Sequence, residues 1–269
     1  MYLYLTLKLK TMVLSKASPQ KRPELTIIIP AYCEERRIGS TLDALAVFLN
    51  TDNFFKQMNV EVLVVAADAP DKTQEIITNK KSLFKNCRLL TPGTRSGKGR
   101  DVQYGMLHAN GKVAIFMDAD LAVPLTHLNE FYNACMEGSD LVVGTRNMLT
   151  YRSNFMRGTF ASTGNFIYRL LSGLSVKDTQ CGFKMFNEQA RRLCFSKLTI
   201  LGWGFDIEVL AIAQSNDLSI KSIQIDDYKH MPFSTHTEGI MEITIHMVRD
   251  LGHITGNRIR GVYDRVPKK

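Results

Sequence analysis

The stretch Val113-Ala-Ile-Phe-Met-Asp-Ala-Asp120 passes directly from an unbroken apolar run to two carboxylates one residue apart. A short run of this kind, rich in branched and aromatic side chains, reads as a strand buried on both faces of a parallel sheet. Towards the N-terminus, Leu25-Thr-Ile-Ile-Ile29 and Val60 to Val65 repeat the signal. Between and after them, Ile38, Leu42, Leu45 and Leu49 recur at helical spacing, and Lys72 to Leu83 is helix-like. The β-α-β-α-β alternation predicts an α/β fold with a Rossmann-like, doubly wound, mostly parallel sheet and right-handed crossovers. Ligands of such sheets sit at the carboxyl ends of the strands. Those ends are Pro30-Ala-Tyr-Cys-Glu-Glu35, Ala66-Ala-Asp-Ala-Pro-Asp71 and Asp118-Ala-Asp120. Acids close all three, which packing does not explain and a metal or a hydroxyl-rich ligand does.

Further along, Asp140 to Gly144 reads as a strand, Asn154 to Leu171 and Phe205 to Gln214 as helices, and Ser219 to Tyr228 alternates like a strand. Glu238 to Arg260 places Ile240, Ile243, Met247 and Leu251 on one helical face, with Arg249, Arg258 and Arg260 nearby. Such a helix can lie in a lipid headgroup layer or pack on the domain. The expected division is an N-terminal extension (1–24), an α/β domain (25–232) and a basic amphipathic segment (233–269). Within the extension, Leu3, Leu5, Leu7 and Leu9 alternate as in a strand.

The chain has 269 residues, 45% hydrophobic and 22% charged, enough for one sizeable core. Its 34 Lys+Arg against 26 Asp+Glu, net +8, favours anionic partners. The 5 cysteines are scattered without a CxxC pair, which argues against zinc and for reduced thiols. No stretch approaches the roughly 18 apolar residues of a membrane span, so membrane contact is expected to be peripheral.

Two carboxylates such as Asp118 and Asp120 at a strand end can hold a hard divalent cation against a diphosphate, with solvated turn acids as their alternative role. Arg95-Ser-Gly-Lys-Gly-Arg100 joins two glycines to three cations ahead of a helix beginning near Asp101, a setting in which backbone N–H groups and positive charge meet an anion. It lacks the first Gly and the hydroxyl of a Walker A loop. Arg146 offers a guanidinium fork matched to phosphate oxygens, with a surface ion pair as its alternative role. Asp178 can orient a cationic partner or cap a helix after Leu170 to Leu174. In Trp203-Gly-Phe-Asp-Ile-Glu208, core packing by Trp203 and Phe205 is the expectation, and stacking of the indole on a sugar the alternative. Asp206 and Glu208 suit a helix N-terminus.

The order of Ile-Pro30-Ala-Tyr-Cys-Glu34-Glu, Gly97-Lys-Gly99, Asp118-Ala-Asp120, Gly144-Thr-Arg146, Asp178-Thr-Gln-Cys-Gly-Phe-Lys184 and Phe205-Asp-Ile-Glu208 resembles the family-2 glycosyltransferases, most of all the dolichyl-phosphate glucosyltransferases. Dolichyl-phosphate mannose synthases are relatives of these. The resemblance implies a GT-A fold and inverting, Mg2+- or Mn2+-dependent transfer of a hexose to dolichyl or polyprenyl phosphate. The expected donor is UDP-glucose, with GDP-mannose the alternative. It implies that Pro30, Ala31, Tyr32, Glu34, Asp68, Gly97, Lys98, Asp118 and Ala119 bind the nucleotide sugar, and that Asp118 and Asp120 hold the metal. Asp120, Arg146 and Asp178 would serve catalysis, and Arg146 and Arg157 the acceptor phosphate. An anionic membrane surface is the further partner, nucleic acid is not one, and the expected place is peripheral on the cytoplasmic side of a membrane: the endoplasmic reticulum in a eukaryote, the plasma membrane in a prokaryote. A lipid phosphate is ionised near neutrality, so its transfer needs no general base.

The chain departs from that pattern in three places. Ala66-Ala-Asp-Ala-Pro-Asp71 stands where relatives carry two adjacent acids followed by Gly-Ser, which requires Asp68 to act after a one-residue shift. Cys33 replaces an Asn, and Ala122 a Gln that binds metal in the mannose synthases. These changes leave a non-catalytic nucleotide-sugar-binding relative as a further reading. A sugar nucleotidyltransferase would carry the basic loop after its first strand, whereas here that loop is expected after the second.

Overall fold

The structure, a computed structural model, describes residues 21–146, 176, 178–229 and 240–264. The expectations for Leu3 to Leu9, Asn154 to Leu171, Arg157, the Leu170 to Leu174 segment and residues 230–239 and 265–269 lie outside the described residues, as do those for the side chains of Ile240, Ile243 and Met247.

Strand β1 (Leu25–Pro30) is buried along its whole length. It pairs in parallel with β2 (Val60–Val65) on one side and β4 (Val113–Met117) on the other, so that Ile28 lies opposite both Leu63 and Phe116. Helices cover both faces, which is why these strands are almost wholly apolar, the exceptions Thr26 and Glu61 being buried and hydrogen-bonded to each other. Each fully buried Ile contributes about 1.5–3 kcal/mol of transfer free energy. The seven strands are ordered β3-β2-β1-β4-β6-β5-β7, with β3 (Cys87–Leu90), β5 (Leu141–Arg146), β6 (Phe183–Asn187) and β7 (Ile220–Ile225). Only β6 runs antiparallel to its neighbours. The order reverses between β1 and β4, the switch point at which doubly wound sheets bind ligands.

Helices α1 (Ile38–Thr51), α2 (Thr73–Lys80) and α4 (Leu128–Met136) contribute to the core on one face of the sheet. On the other lie α3 (Lys98–His108), α5 (Glu188–Lys197), α6 (Phe205–Ser215) and α7 (Ile240–Ile259). Among the described residues the anticipated helices and strands are present within a few residues of their expected bounds. Strands β3 and β6 were not anticipated. The first is a short, half-buried edge strand, and the second carries a buried lysine as its second residue. The basic loop therefore follows the third strand, a correction to its expected place after the second.

The described half of α7 packs on the domain. Leu251, Ile254 and, beyond the helix, Tyr263 join the core beneath α6. The exposed apolar side chains there are Val248, Ile259 and Val262. Among the described residues no helix is long and apolar enough to cross a membrane.

Candidate active site

β4 delivers Asp118 and Asp120 onto a tight turn in which Leu121 takes φ +54°, an uncommon and strained conformation for a residue with a Cβ. The turn is held from α1, where the Thr41 hydroxyl donates to the Ala119 carbonyl at 2.5 Å. It is held from within by the Ala122 N–H, which donates to Asp120 Oδ1 at 3.0 Å. Asp118 Oδ1 receives Lys98 Nζ at 2.5 Å. Behind it, a Cβ on Gly182 would come within 2.1 Å of Asp118 Oδ2, so only glycine lets this carboxylate lie where it does. Burial, and then the neighbouring Asp118, push the Asp120 carboxyl up against the pull of the Ala122 N–H and of Arg37 and Lys98.

Two close carboxylates with hard oxygen donors fit Mg2+ or Mn2+, because a divalent cation relieves their repulsion. Among the described residues no third Asp, Glu, His or Cys completes the set. Ala122 is buried and offers only its backbone. Such a cation would draw its other ligands from a diphosphate and water, the usual arrangement for Mg2+.

The basic loop forms the opposite wall. Gly97 takes φ +121°, and a Cβ there would meet the Leu201 carbonyl oxygen at 2.4 Å; one on Gly99 would meet Phe205 Cβ at 2.7 Å. The loop thus presses on the Leu201–Phe205 segment, and α3 opens at Lys98 with its N-terminus towards the carboxylates. Burial would lower the Lys98 ammonium, but Asp118 and then Asp206 more than offset it and hold it above the usual lysine range. Its Nζ lies 5.4 Å from the centre of the Trp203 ring. Trp203 is 42% exposed, which corrects the expectation that it packs in the core; Phe205 is fully buried, as expected.

Beside this wall, Arg95 covers the Tyr32 ring at 4.1 Å. Asp68 bridges to Thr94, its N–H donating to the Gly93 carbonyl at 3.0 Å. Tyr32, Asp68 and Arg95 are therefore brought together. Ala66 and Ala67 are buried, and their carbonyls accept from Gln74 Nε2. Pro30 ends β1, and the Ala31 N–H donates to the Val65 carbonyl at 2.8 Å. The Glu34 carboxylate accepts both Arg37 Nε and Nη2 at 2.7 Å. Cys33 takes φ +54°, a conformation in which Asn is several-fold enriched.

Arg146 is the last residue of β5, and its guanidinium is clasped by Asp178, with Nε to Oδ2 at 2.6 Å and Nη2 to Oδ1 at 2.9 Å. The backbone N–H of Arg146 adds a third contact to Oδ2 at 3.1 Å. Burial alone would raise the Asp178 carboxyl, but these bonds outweigh it and hold it below the usual range. Arg146 lies over the Tyr228 ring at 5.5 Å, and Tyr228 lines a small cleft with Asp118, Ala122 and Gly182. Tyr228 thereby links the carboxylate turn to the Arg146 fork.

The family model for glycosyl transferase family 2 matches residues 26–193, which span the first six strands and nearly all the side chains just described. The chain belongs to this family. It is 30% identical to the dolichyl-phosphate beta-glucosyltransferase of Dictyostelium discoideum over 89% of this chain and 76% of that protein. It is likewise 30% identical to the Drosophila melanogaster protein of that name, over 84% of this chain and 74% of the relative. The fold matches the glucosyl-3-phosphoglycerate synthase of Mycobacterium tuberculosis, solved with Mg2+ and UDP, with a TM-score of 0.61 at 17% identity, covering 87% of this chain and 80% of that one. The family-2 chain is thus of the GT-A type.

Sequence reasoning did not find Tyr228, nor the pairing of Lys184 with Asp206. Lys184 lies in β6 with no exposed surface and bonds the carboxylate of Asp206, in the first turn of α6. A lysine in an otherwise apolar strand is the signal that was available, since lysine is almost never buried unpaired. Glu208 does more than favour a helix terminus. It accepts the backbone N–H groups of Thr199 and Ile200 at 2.9 and 2.6 Å and the Tyr263 hydroxyl at 2.7 Å, tying the loop before Trp203 to the segment after α7.

Proposed function

We propose that this glycosyltransferase moves glucose, with inversion, from UDP-glucose to dolichyl phosphate or a related polyprenyl phosphate, at the cytoplasmic surface of a membrane. The observation that carries the reading is the small cleft lined by Asp118 and Tyr228, with Asp120 and Lys98 beside Asp118 at one side and the Asp178-clasped Arg146 over the Tyr228 ring at the other. One side suits a metal-bound diphosphate, the other a phosphate monoester. The names of the relatives support the donor sugar and the lipid.

Asp118 and Asp120 would hold Mg2+ or Mn2+, which when bound neutralises charge on the leaving nucleoside diphosphate. Lys98, with the α3 N-terminus behind it, adds positive charge on the same side. Tyr32, Asp68 and Arg95 would meet the nucleoside, and Trp203 would lie against the sugar. Asp178 engages two of the five guanidinium N–H groups of Arg146 and Tyr228 also hydrogen-bonds the guanidinium, and the remainder of the fork would orient the acceptor phosphate. That phosphate is already an anionic nucleophile, so catalysis consists of alignment and leaving-group stabilisation. Membrane contact is proposed through the exposed Val248, Ile259 and Val262 together with Arg249 and Arg260.

The experiment is transfer from UDP-glucose and GDP-mannose to dolichyl phosphate with Mg2+ or Mn2+, and identification of the glycolipid by mass spectrometry. Glucosyl phosphoryl dolichol is the expected product. A mannolipid would overturn the donor, and no glycolipid from either donor would overturn the catalytic reading.

A further inference from the structure

Lys184 is the second residue of β6, opposite Phe116 of β4 and Val143 of β5, in one of the most apolar parts of the sheet. It has no exposed surface, and its partner Asp206 is 4% exposed. Replacing a buried ion pair by hydrophobic residues of similar volume is often neutral or stabilising, because desolvation offsets the Coulomb attraction. Stability therefore gives little account of this pair. What each end holds gives a better one.

At one end, Lys184 Nζ donates to the Cys181 carbonyl at 2.7 Å. This fixes the turn whose Gly182 lies directly against the Asp118 carboxylate. At the other end, Asp206 is the second residue of α6, close behind Trp203 and Gly204, the segment on which Gly97 and Gly99 rest. Lys98, between those glycines, returns to Asp118 at 2.5 Å with Trp203 beside it. The contacts close a ring: Asp118, Gly182, Cys181, Lys184, Asp206, the Trp203 segment, Lys98 and again Asp118. The buried pair is the one link of that ring that joins β6 to α6.

We propose that Lys184 and Asp206 are positioning residues, a buried clasp that sets the separation between the Asp118 wall and the Lys98–Trp203 wall and so the fit of the donor diphosphate and sugar. The proposal rests on the reading of this cleft as the donor site. It makes Lys184 and Asp206 dispensable for folding and necessary for donor binding.

The chain has a single tryptophan, so intrinsic fluorescence reports Trp203 alone. The test is the Lys184→Met/Asp206→Leu double variant of the full chain, with Lys184→Gln/Asp206→Asn as a second version that keeps polar side chains in place. Expected are a thermal midpoint within a few degrees of the parent, UDP affinity with Mg2+ weakened at least tenfold, and a fall in kcat as well as a rise in KM for the donor. Iodide quenching of Trp203 without nucleotide should at least double. A folded double variant with parental UDP affinity, parental kcat and parental quenching would overturn the clasp. Failure of both double variants to fold would also overturn it, since the pair would then be a stability element. If the parent itself binds no UDP, the donor-site reading fails, while the nucleotide-free quenching still decides whether the pair positions Trp203.

Discussion

Replacing Asp120 with Asn should separate catalysis from folding. Asp120 Oδ1 accepts the Ala122 N–H at 3.0 Å, and the amide oxygen of Asn can accept it equally well, so the turn keeps its geometry. Burial and the adjacent Asp118 already disfavour the ionised carboxyl, so removing its charge relieves a repulsion. The thermal midpoint should accordingly equal or exceed that of the parent. Activity should move the other way, because a neutral amide is a weak ligand for a hard cation and leaves charge on the departing diphosphate uncompensated. A loss of ~3 kcal/mol in the transition state slows transfer more than a hundredfold. Nucleotide affinity should fall less than turnover, as that charge develops mainly during the reaction. The assay is glycolipid formation titrated with Mn2+, alongside thermal unfolding of both proteins. A folded variant with parental rate and unchanged metal dependence would remove Asp120 from the site. A variant that loses several degrees of midpoint would refute the account of the turn.

Arg146→Lys keeps the charge but cannot span both oxygens of Asp178, and each charged hydrogen bond lost is worth about 1.5–3 kcal/mol. Transfer should fall at least tenfold, with a lower thermal midpoint; parental kinetics would refute the fork. Because the Asp178 carboxyl is held below its usual range, its contribution to stability is complete above about pH 4. It is lost as pH falls further through the lowered value. Asp178→Asn should therefore be less stable than the parent at pH 7, and the gap should narrow in acid, as read from urea midpoints between pH 2 and 7; a constant gap would refute the assignment. Gly182→Ala should displace the Asp118 carboxylate and weaken Mn2+-dependent UDP binding in calorimetry, whereas undiminished binding would show that Asp118 can be spared. Binding to vesicles with anionic lipid should exceed binding to neutral ones and weaken with salt, the attraction being screened beyond about 10 Å at 0.1 M. Equal partition onto both at all salt concentrations would count against a membrane-facing basic surface.

The local sequence was sufficient for the features that depend on short-range pattern. Largely apolar runs bounded by acids identified β1, β2 and β4, because strands buried on both faces show little polar alternation to confuse the reading. The strand-end rule then placed Asp118, Asp120, Tyr32 and Asp68 at one edge of the sheet. The order of the motifs was enough to indicate the family. What the sequence could not fix depends on contacts between distant segments. That Arg146 meets Asp178, and that both face Asp118 across Tyr228, follows from β6 inserting antiparallel between β4 and β5, an arrangement that no local periodicity encodes. Trp203 reads as core in one dimension because an indole beside Phe205 ordinarily packs inward; only the docking of its loop on Gly97 and Gly99 turns it to the surface. Helix α7 carries apolar residues on more than one side, and the choice of buried face belongs to α6, which accepts Leu251 and Ile254 and leaves Val248 and Ile259 outside. The pairing of Lys184 with Asp206 was hidden for the same reason, since the free energy of burying a charge is decided by the partner that the fold brings to it.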